Sequence, residues 1–225
     1  MIRALIFDFD GLILETEGPV YQSWSELYQE FGCELVFEDW ATIIGTSEAE
    51  TFDPFDELES KLGRKLDRGT IVPERRQREL DLIAQQPVMP GVEEYIRDAQ
   101  RLGFKLGIAS SSSRQWVSEH LIRLGLLDHF EVIHTSDDVV RTKPDPALFN
   151  LVLESLRVHP RQAIVLEDSP NGVIAAKRAG IFTVAVPNGI TRRLDLDHAD
   201  LRLESLTDLS LGELIEVVER GGKAL

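Results

Sequence analysis

Short, unbroken apolar runs alternate along this chain with stretches where apolar residues recur every three or four positions. The runs are Ala4-Leu5-Ile6-Phe7, Lys105-Leu106-Gly107-Ile108-Ala109, Val132-Ile133, Ala163-Ile164-Val165-Leu166 and Thr183-Val184-Ala185-Val186. Continuous rather than alternating hydrophobicity fits strands covered on both faces, as in a parallel sheet. Between the runs, Val92 to Leu102 sets Val92, Tyr95, Ile96, Ala99 and Leu102 on one helical stripe. Trp116 to Leu124 repeats the pattern and Gly125 stops it. Pro146 opens a helix through Leu156, and Pro170 opens another that Gly180 closes. Strand–helix alternation of this kind predicts an α/β fold with a doubly wound parallel sheet.

One stretch breaks the rhythm. From the end of the first strand near Phe9 to Pro90-Gly91, roughly 75 residues carry helical patterns and no convincing strand. Tyr21–Phe31, Ala49–Leu62 and Pro73–Ala84 are the predicted helices there. A single crossover helix needs far fewer residues. The predicted organisation is therefore a core of residues 1–15 and 88–225 with a helical insert over 16–87, and Pro87 and Pro90-Gly91 mark the return. A last helix is predicted within Leu206–Arg220.

Composition narrows the classes of function. Apolar residues make up 43% and charged residues 28% of 225, ordinary for a globular protein. The formal net charge of −15 offers no basic face for nucleic acid or for anionic lipid, so neither is an expected partner. No stretch reaches the length of a membrane span. The apolar N-terminal run is too short for a signal peptide and leads straight into Asp8, so a cytoplasmic location is expected. Cys33 is the only cysteine, follows Gly32 at a helix end, and is best explained by packing. A monomer is expected.

In open α/β sheets, ligands bind beyond the carboxyl ends of the strands. The first strand delivers Asp8-Phe9-Asp10-Gly11 there and the second Ser110-Ser111-Ser112-Ser113. The stretch after the third brings Lys143-Pro144-Asp145-Pro146, and the fourth ends in Glu167-Asp168-Ser169. Taken singly, each has a bland reading: Asp8 and Asp10 as turn formers, Ser110 as a helix cap, Lys143 as a solvated charge, Glu167-Asp168 as a cap before Pro170. Four polar endings at one sheet edge are harder to assign to four separate turns. Such an acidic cluster repels itself unless a cation or a lysine sits within it. Asp carboxylates and a backbone carbonyl suit Mg²⁺. Asp8, Asp168, the main-chain carbonyl of Asp10 and Glu167 form the candidate ligand set. Lys143 would neutralise phosphate oxygens, while the Ser110 hydroxyl and neighbouring groups such as Ser111 would hold them. Asp8 would attack phosphorus in line, and Asp10 would protonate the leaving oxygen and later deprotonate water.

These residues resemble the four motifs of the haloacid dehalogenase superfamily, from Ile2 to about Pro187, in order and in context. The insert after the first motif is similar to the small helical cap of the β-phosphoglucomutase and phosphatase branch. The resemblance implies a Rossmann-like core, a mobile cap and Mg²⁺. It also implies Asp8 as nucleophile, Asp10 as acid/base, Ser110 and Lys143 as phosphate ligands, and Asp8, Asp10 and Asp168 as metal ligands. Dehalogenases of the superfamily lack the second aspartate of the first motif, so Asp10 argues against that activity. One departure is Glu15, where the family's hinge carries Asp; a local adjustment is expected there, since Asp8, Asp10 and Thr16 are in place.

The insert separates the activities that share this core. Mutases of the family carry a histidine in the first cap helix and basic residues around a Gly-x-Ser segment. Gly18-Pro19-Val20-Tyr21 holds no histidine, and Ile44 and Glu48 stand at the expected basic positions. A Schiff-base lysine of the phosphonate hydrolases is also missing from the early insert, with Lys61 and Lys65 far along it. The expected activity is hydrolysis of a small phosphorylated metabolite, a sugar phosphate or nucleotide-like phosphomonoester, through an aspartyl-phosphate. The alternatives are a phosphosugar mutase and a non-catalytic binding protein on the same fold. Thr16, Glu17, Tyr21, Trp24 and the Gly45-Thr46-Ser47 turn are the candidate substrate readers, with packing inside the insert as the rival reading for Tyr21 and Trp24. A scarcity of cations in the insert favours a neutral, sugar-like or nucleoside-like leaving group.

Overall fold

The computed structural model describes residues 1–44 and 52–221. Six parallel strands, β1 (Ala4–Phe7), β2 (Lys105–Ala109), β3 (Val132–His134), β4 (Ala163–Glu167), β5 (Phe182–Ala185) and β6 (Leu201–Arg202), form one sheet in the order β3-β2-β1-β4-β5-β6. Side chains alternate across it because successive Cβ atoms point to opposite faces. Leu5 and Phe7 of β1 join Leu106, Ile108, Ile164 and Leu166 on one face. Ala4 and Ile6 join Ala163 and Val165 on the other. Helices α5 (Val92–Arg101), α6 (Arg114–Leu124) and α9 (Leu211–Glu219) bury apolar residues in the first layer, and α7 (Ala147–Leu156) and α8 (Pro170–Arg178) in the second. This double cover is why the strands read as unbroken apolar runs.

The chain runs outward from β1 through β2 to β3 and then returns to β4 on the other side of β1. The β1/β4 boundary is thus the point where strand order reverses, and the sheet opens a crevice there. Phe7 is in register with Leu166, and the Asp8 amide donates to the Leu166 carbonyl at 3.0 Å. Register alone therefore sets the first and fourth acidic endings side by side.

Between β1 and α5 the described residues contain no strand of the sheet. They form α1 (Glu17–Glu30), the short α2 (Phe37–Trp40), α3 (Pro54–Leu62) and α4 (Arg68–Ala84). Trp24, Leu27, Tyr28, Trp40, Phe55 and Leu58 give this segment a hydrophobic cluster of its own. Its two connections lie side by side: Leu14 bridges Val88, and the Met89 amide donates to the Ile13 carbonyl at 2.9 Å.

Boundaries differ from the sequence expectations at several element ends. Helix α1 starts at Glu17, four residues ahead of Tyr21. Helix α4 starts at Arg68, because Asp67 caps it through the Gly69 amide, and Pro73 is carried inside. Helix α3 starts at Pro54 behind the N-cap Asp53, and residues 49–51 of the expected Ala49–Leu62 helix lie outside the described residues. The two-residue β6 was too short to show as an apolar run, and α9 covers only Leu211–Glu219 of the expected tail helix.

Candidate active site

Strand β1 stops at Phe7, and the chain turns at once: the Ile13 amide donates to the Phe9 carbonyl at 2.9 Å and the Gly11 amide to the Leu14 carbonyl at 2.8 Å. Gly11 sits at φ +78°, and a Cβ there would lie 2.3 Å from Asp168 Oδ2. Only glycine lets this turn press against the β4 ending. Asp8 and Asp10 consequently open onto one cavity of about 550 Å³ even though the strand does not persist between them.

The charged centre is nearly sealed. Lys143 is 3% exposed, and its ammonium binds Asp8 Oδ1 and, at 2.6 Å, Glu167 Oε1. The other oxygen of Glu167, Oε2, accepts from the amides of Asp168 (3.0 Å) and Ser169 (3.1 Å) and from the Ser169 hydroxyl (3.1 Å). Gly172, in the first turn of α8, makes room for that carboxylate, since a Cβ there would lie 1.8 Å from Glu167 Oε1. Asn188 Nδ2 donates to Asp168 Oδ2 at 2.8 Å and reaches the Gly11 carbonyl at 3.3 Å.

One oxygen each from Asp8, Glu167 and Asp168 lies within 4.8 Å of the others. Burial, reinforced by the Glu167 charge and opposed by Lys143, pushes Asp8 up to about 8. Burial and the charges of Asp8 and Glu167 raise Asp168 well above the carboxylate range. For Lys143, burial works against the charge, but the attraction of Asp8 and Glu167 prevails and raises it. One lysine thus leaves three buried carboxylates under-compensated. All the donors are oxygens, and Asp8 and Asp168 each keep one carboxylate oxygen outside these hydrogen bonds. The set fits a hard divalent cation such as Mg²⁺. Asp8 and Asp168 are the residues with ligand capacity to spare, whereas both oxygens of Glu167 are already engaged.

Around this centre, the β2 ending wraps Asp10. Ser112 Oγ donates to Asp10 Oδ2 at 2.6 Å, Ser110 Oγ reaches the same oxygen at 3.4 Å, and the Trp116 indole N–H donates to Oδ1 at 2.8 Å. The Asp10 carboxylate is therefore outside the three-carboxylate cluster. Ser110 is fully buried, and Ser113, not Ser110, caps α6. Ser111 lines the cavity, and its buried hydroxyl has no hydrogen-bond partner among the described residues, as expected of a group that meets a ligand.

The helical segment supplies the facing wall. Thr16, Glu17 and Trp24 line the cavity. Trp24 is also core, stacked edge-on against Phe55 at 4.8 Å, so its two readings hold together. Tyr21 does not line the cavity; it packs against Phe37 and Trp40. Gly45, Thr46, Ser47 and Glu48 lie outside the described residues. Glu15 folds back so that its Oε1 accepts from the Gly18 amide at 2.9 Å.

The expected scarcity of cations in this segment does not hold: Arg75 and Arg76 of α4 line the cavity. Within the charge-dense run Glu74-Arg75-Arg76-Gln77-Arg78-Glu79, periodicity alone did not separate cavity-facing arginines from solvated ones. Both pair with Glu79, Arg75 at 2.5 Å, and Arg75 also lies over the Trp24 ring at 4.4 Å. Glu79, Trp116 and Asn188 likewise escaped the sequence reading, since none sits in a strand-end motif.

Known proteins share this chain's sequence pattern and fold. A family profile described as "Haloacid dehalogenase-like hydrolase" matches residues 5–186. The protein named "Putative phosphatase YhcW" from Bacillus subtilis (strain 168) is 46% identical over 216 residues, covering 96% of this chain and 97% of that one. The "Phosphorylated carbohydrates phosphatase" of Thermotoga maritima is 33% identical, with 97% and 99% covered. The crystal structure of β-phosphoglucomutase from Clostridium difficile superposes with a TM-score of 0.76 at 26% identity over 98% of both chains.

Proposed function

The chain belongs to the haloacid dehalogenase-like hydrolases and is a phosphoric monoester hydrolase, and from that premise we propose that it hydrolyses a small phosphomonoester through an aspartyl-phosphate on Asp8. The observation that carries this reading is the shared cavity: Asp8, buried and paired with Lys143, opens onto the space that the unpartnered Ser111 hydroxyl and Asp10 also face. Residues 16–87 act as the cap over that space.

A carboxylate oxygen of Asp8 attacks phosphorus, and the bond from phosphorus to the alcohol oxygen breaks. Asp10 gives its proton to that oxygen. Water then attacks the phosphoryl group, Asp10 takes the water's proton, and the bond to Asp8 breaks, releasing inorganic phosphate. Lys143 offsets phosphate charge next to the nucleophile, and the β2 ending around Ser111 holds the phosphoryl oxygens. Mg²⁺, held by Asp8 and Asp168, supplies further positive charge to those oxygens when bound. Trp24 and Trp40 offer apolar faces and Glu17 a polar carboxyl group, which suits a polyhydroxy, sugar-like leaving group.

The test is hydrolysis of an aryl phosphate with and without Mg²⁺. Activity should need the metal and should disappear in Asp8→Asn; a full rate in that variant refutes the nucleophile. Arg75 and Arg76 favour one second reading, transfer between positions of a phosphosugar, because cations can hold a second phosphate. Incubation with β-glucose 1-phosphate and its bisphosphate should release phosphate only. Accumulation of glucose 6-phosphate would replace hydrolysis with the mutase reading.

A further inference from the structure

Trp116 is the third residue of α6, placed by the helix cap: its own amide donates to the Ser113 hydroxyl at 3.3 Å. That cap turns the indole across the mouth of the cavity, where its N–H meets Asp10 Oδ1 at 2.8 Å. The ring is fixed on both flanks. His120, one turn on, packs edge-on at 4.3 Å between centroids, and the Arg76 guanidinium lies over the ring at 4.9 Å. Arg76 belongs to α4 and is itself held by Glu79. An unbroken chain of contacts, Glu79–Arg76–Trp116–Asp10, therefore crosses from the helical segment to the core.

We infer that Trp116 is a positioning residue for Asp10, holding its carboxyl group in one orientation, and that Arg76 ties this hold to α4. An indole N–H can only donate. Oδ1 is therefore held as an acceptor, which fixes the rotation of the Asp10 carboxyl group. The partners of Oδ2 are the hydroxyls of Ser112 and Ser110, which can accept as well as donate. When Asp10 gives its proton to the leaving oxygen, the indole stays on Oδ1 and stabilises the carboxylate that forms. Proton delivery is then correct only while Arg76 is stacked, that is, while α4 covers the cavity. This rests on the reading of Asp10 as the proton carrier.

The test uses leaving groups. Phenyl phosphate needs its departing oxygen protonated far more than p-nitrophenyl phosphate does. The ratio of kcat/KM for the two therefore reports proton delivery and is insensitive to the fraction of enzyme folded. Trp116→Phe keeps an aromatic face for Arg76 and removes the N–H. It should lower kcat/KM for phenyl phosphate at least about tenfold while p-nitrophenyl phosphate stays within about threefold, a share of what a general acid contributes. Arg76→Gln should shift the ratio in the same direction by less, and should add no further shift in the Trp116→Phe background. Equal losses on both substrates, or no loss, overturn the role of Trp116. An Arg76→Gln shift that persists undiminished in the double variant overturns the link to α4. Asp10→Asn separates this from the parent reading. If it stays active, the proton carrier is wrong; if it is inactive while Trp116→Phe matches the parent enzyme, only the positioning inference falls.

Discussion

The sheet side of the cavity holds its charges in a fixed lattice. Lys143 spans Asp8 and Glu167, three donors grip the far oxygen of Glu167, Asn188 grips Asp168, and glycines stand where any Cβ would collide. The helical side is built differently. Arg75, Arg76 and Glu79 balance one another, and the arginines lie over Trp24 and, across the cavity, over Trp116 of the core. On the first wall a side chain's place follows from strand register, and on the second from helix packing that other residues could satisfy equally well. Under the proposed function, the difference assigns chemistry to the sheet wall and substrate selectivity to the helical wall.

If that division is right, the sheet wall should fail in rate and the helical wall in preference. Lys143→Met should reduce kcat/KM on an aryl phosphate by at least about 100-fold, the scale of removing one charge stabiliser from a water-poor site. The loss should be the same for every substrate tried. A loss confined to some substrates would mean that Lys143 reads the leaving group and would erase the contrast. Gly172→Ala is next in size. Its new methyl meets Glu167 Oε1, and that carboxylate cannot move away without breaking its bonds to Asp168, Ser169 and Lys143. A loss of about 1–3 kcal/mol, typical of overpacking, should appear as a lower urea midpoint at unchanged slope. An unchanged midpoint would show that the lattice around Glu167 yields.

The same contrast explains what was legible beforehand. Asp8, Glu167 and Asp168 stand at the ends of unbroken apolar runs and Lys143 in the loop after another, and a parallel sheet carries all such ends to one edge, so local pattern plus topology brought them together. Asp10 was found for the same reason. The direction of its carboxylate was not, because that depends on Trp116, 106 residues away. Arg75 and Arg76 were hidden by their neighbours. A helix of charged residues has no periodic signal that marks which of them face a cavity, and Asp67 started α4 five residues before the expected Pro73. Asn188 lay in Pro187-Asn188-Gly189, which reads as a turn; its Oδ1 does make turn bonds to the Ile190 and Thr191 amides while Nδ2 does the work at Asp168.

Glu79→Gln probes the helical wall directly. Removing the negative charge releases Arg75 and Arg76 toward the cavity. The preference for a sugar bisphosphate over the matching monophosphate should then rise on the order of fivefold, the effect of about 1 kcal/mol of charge interaction. The rate on an aryl phosphate should change little. A uniform loss on all substrates instead would place Glu79 with the rigid wall.

Glu17 gives the smallest effect and the sharpest sign. Burial, followed by the charges of Asp10, Glu15, Asp8 and Glu79, pushes its carboxyl from 4.5 up to about 8. Between those values the folded chain keeps a proton that the unfolded chain has lost. The unfolded state then binds fewer protons, so stability falls as pH rises through that window. Glutamine carries no such proton. In calorimetry with EDTA present, Glu17→Gln should melt with the parent protein near pH 4 and roughly 2–4 °C above it at pH 8, as about 1 kcal/mol would produce in a chain of this size. Adding Mg²⁺ at pH 8 should narrow the gap, because a cation near Asp8 offsets part of the repulsion that burdens Glu17. Parallel melting curves at every pH would mean that Glu17 carries no such burden, and the two walls would differ in architecture but not in electrostatic strain.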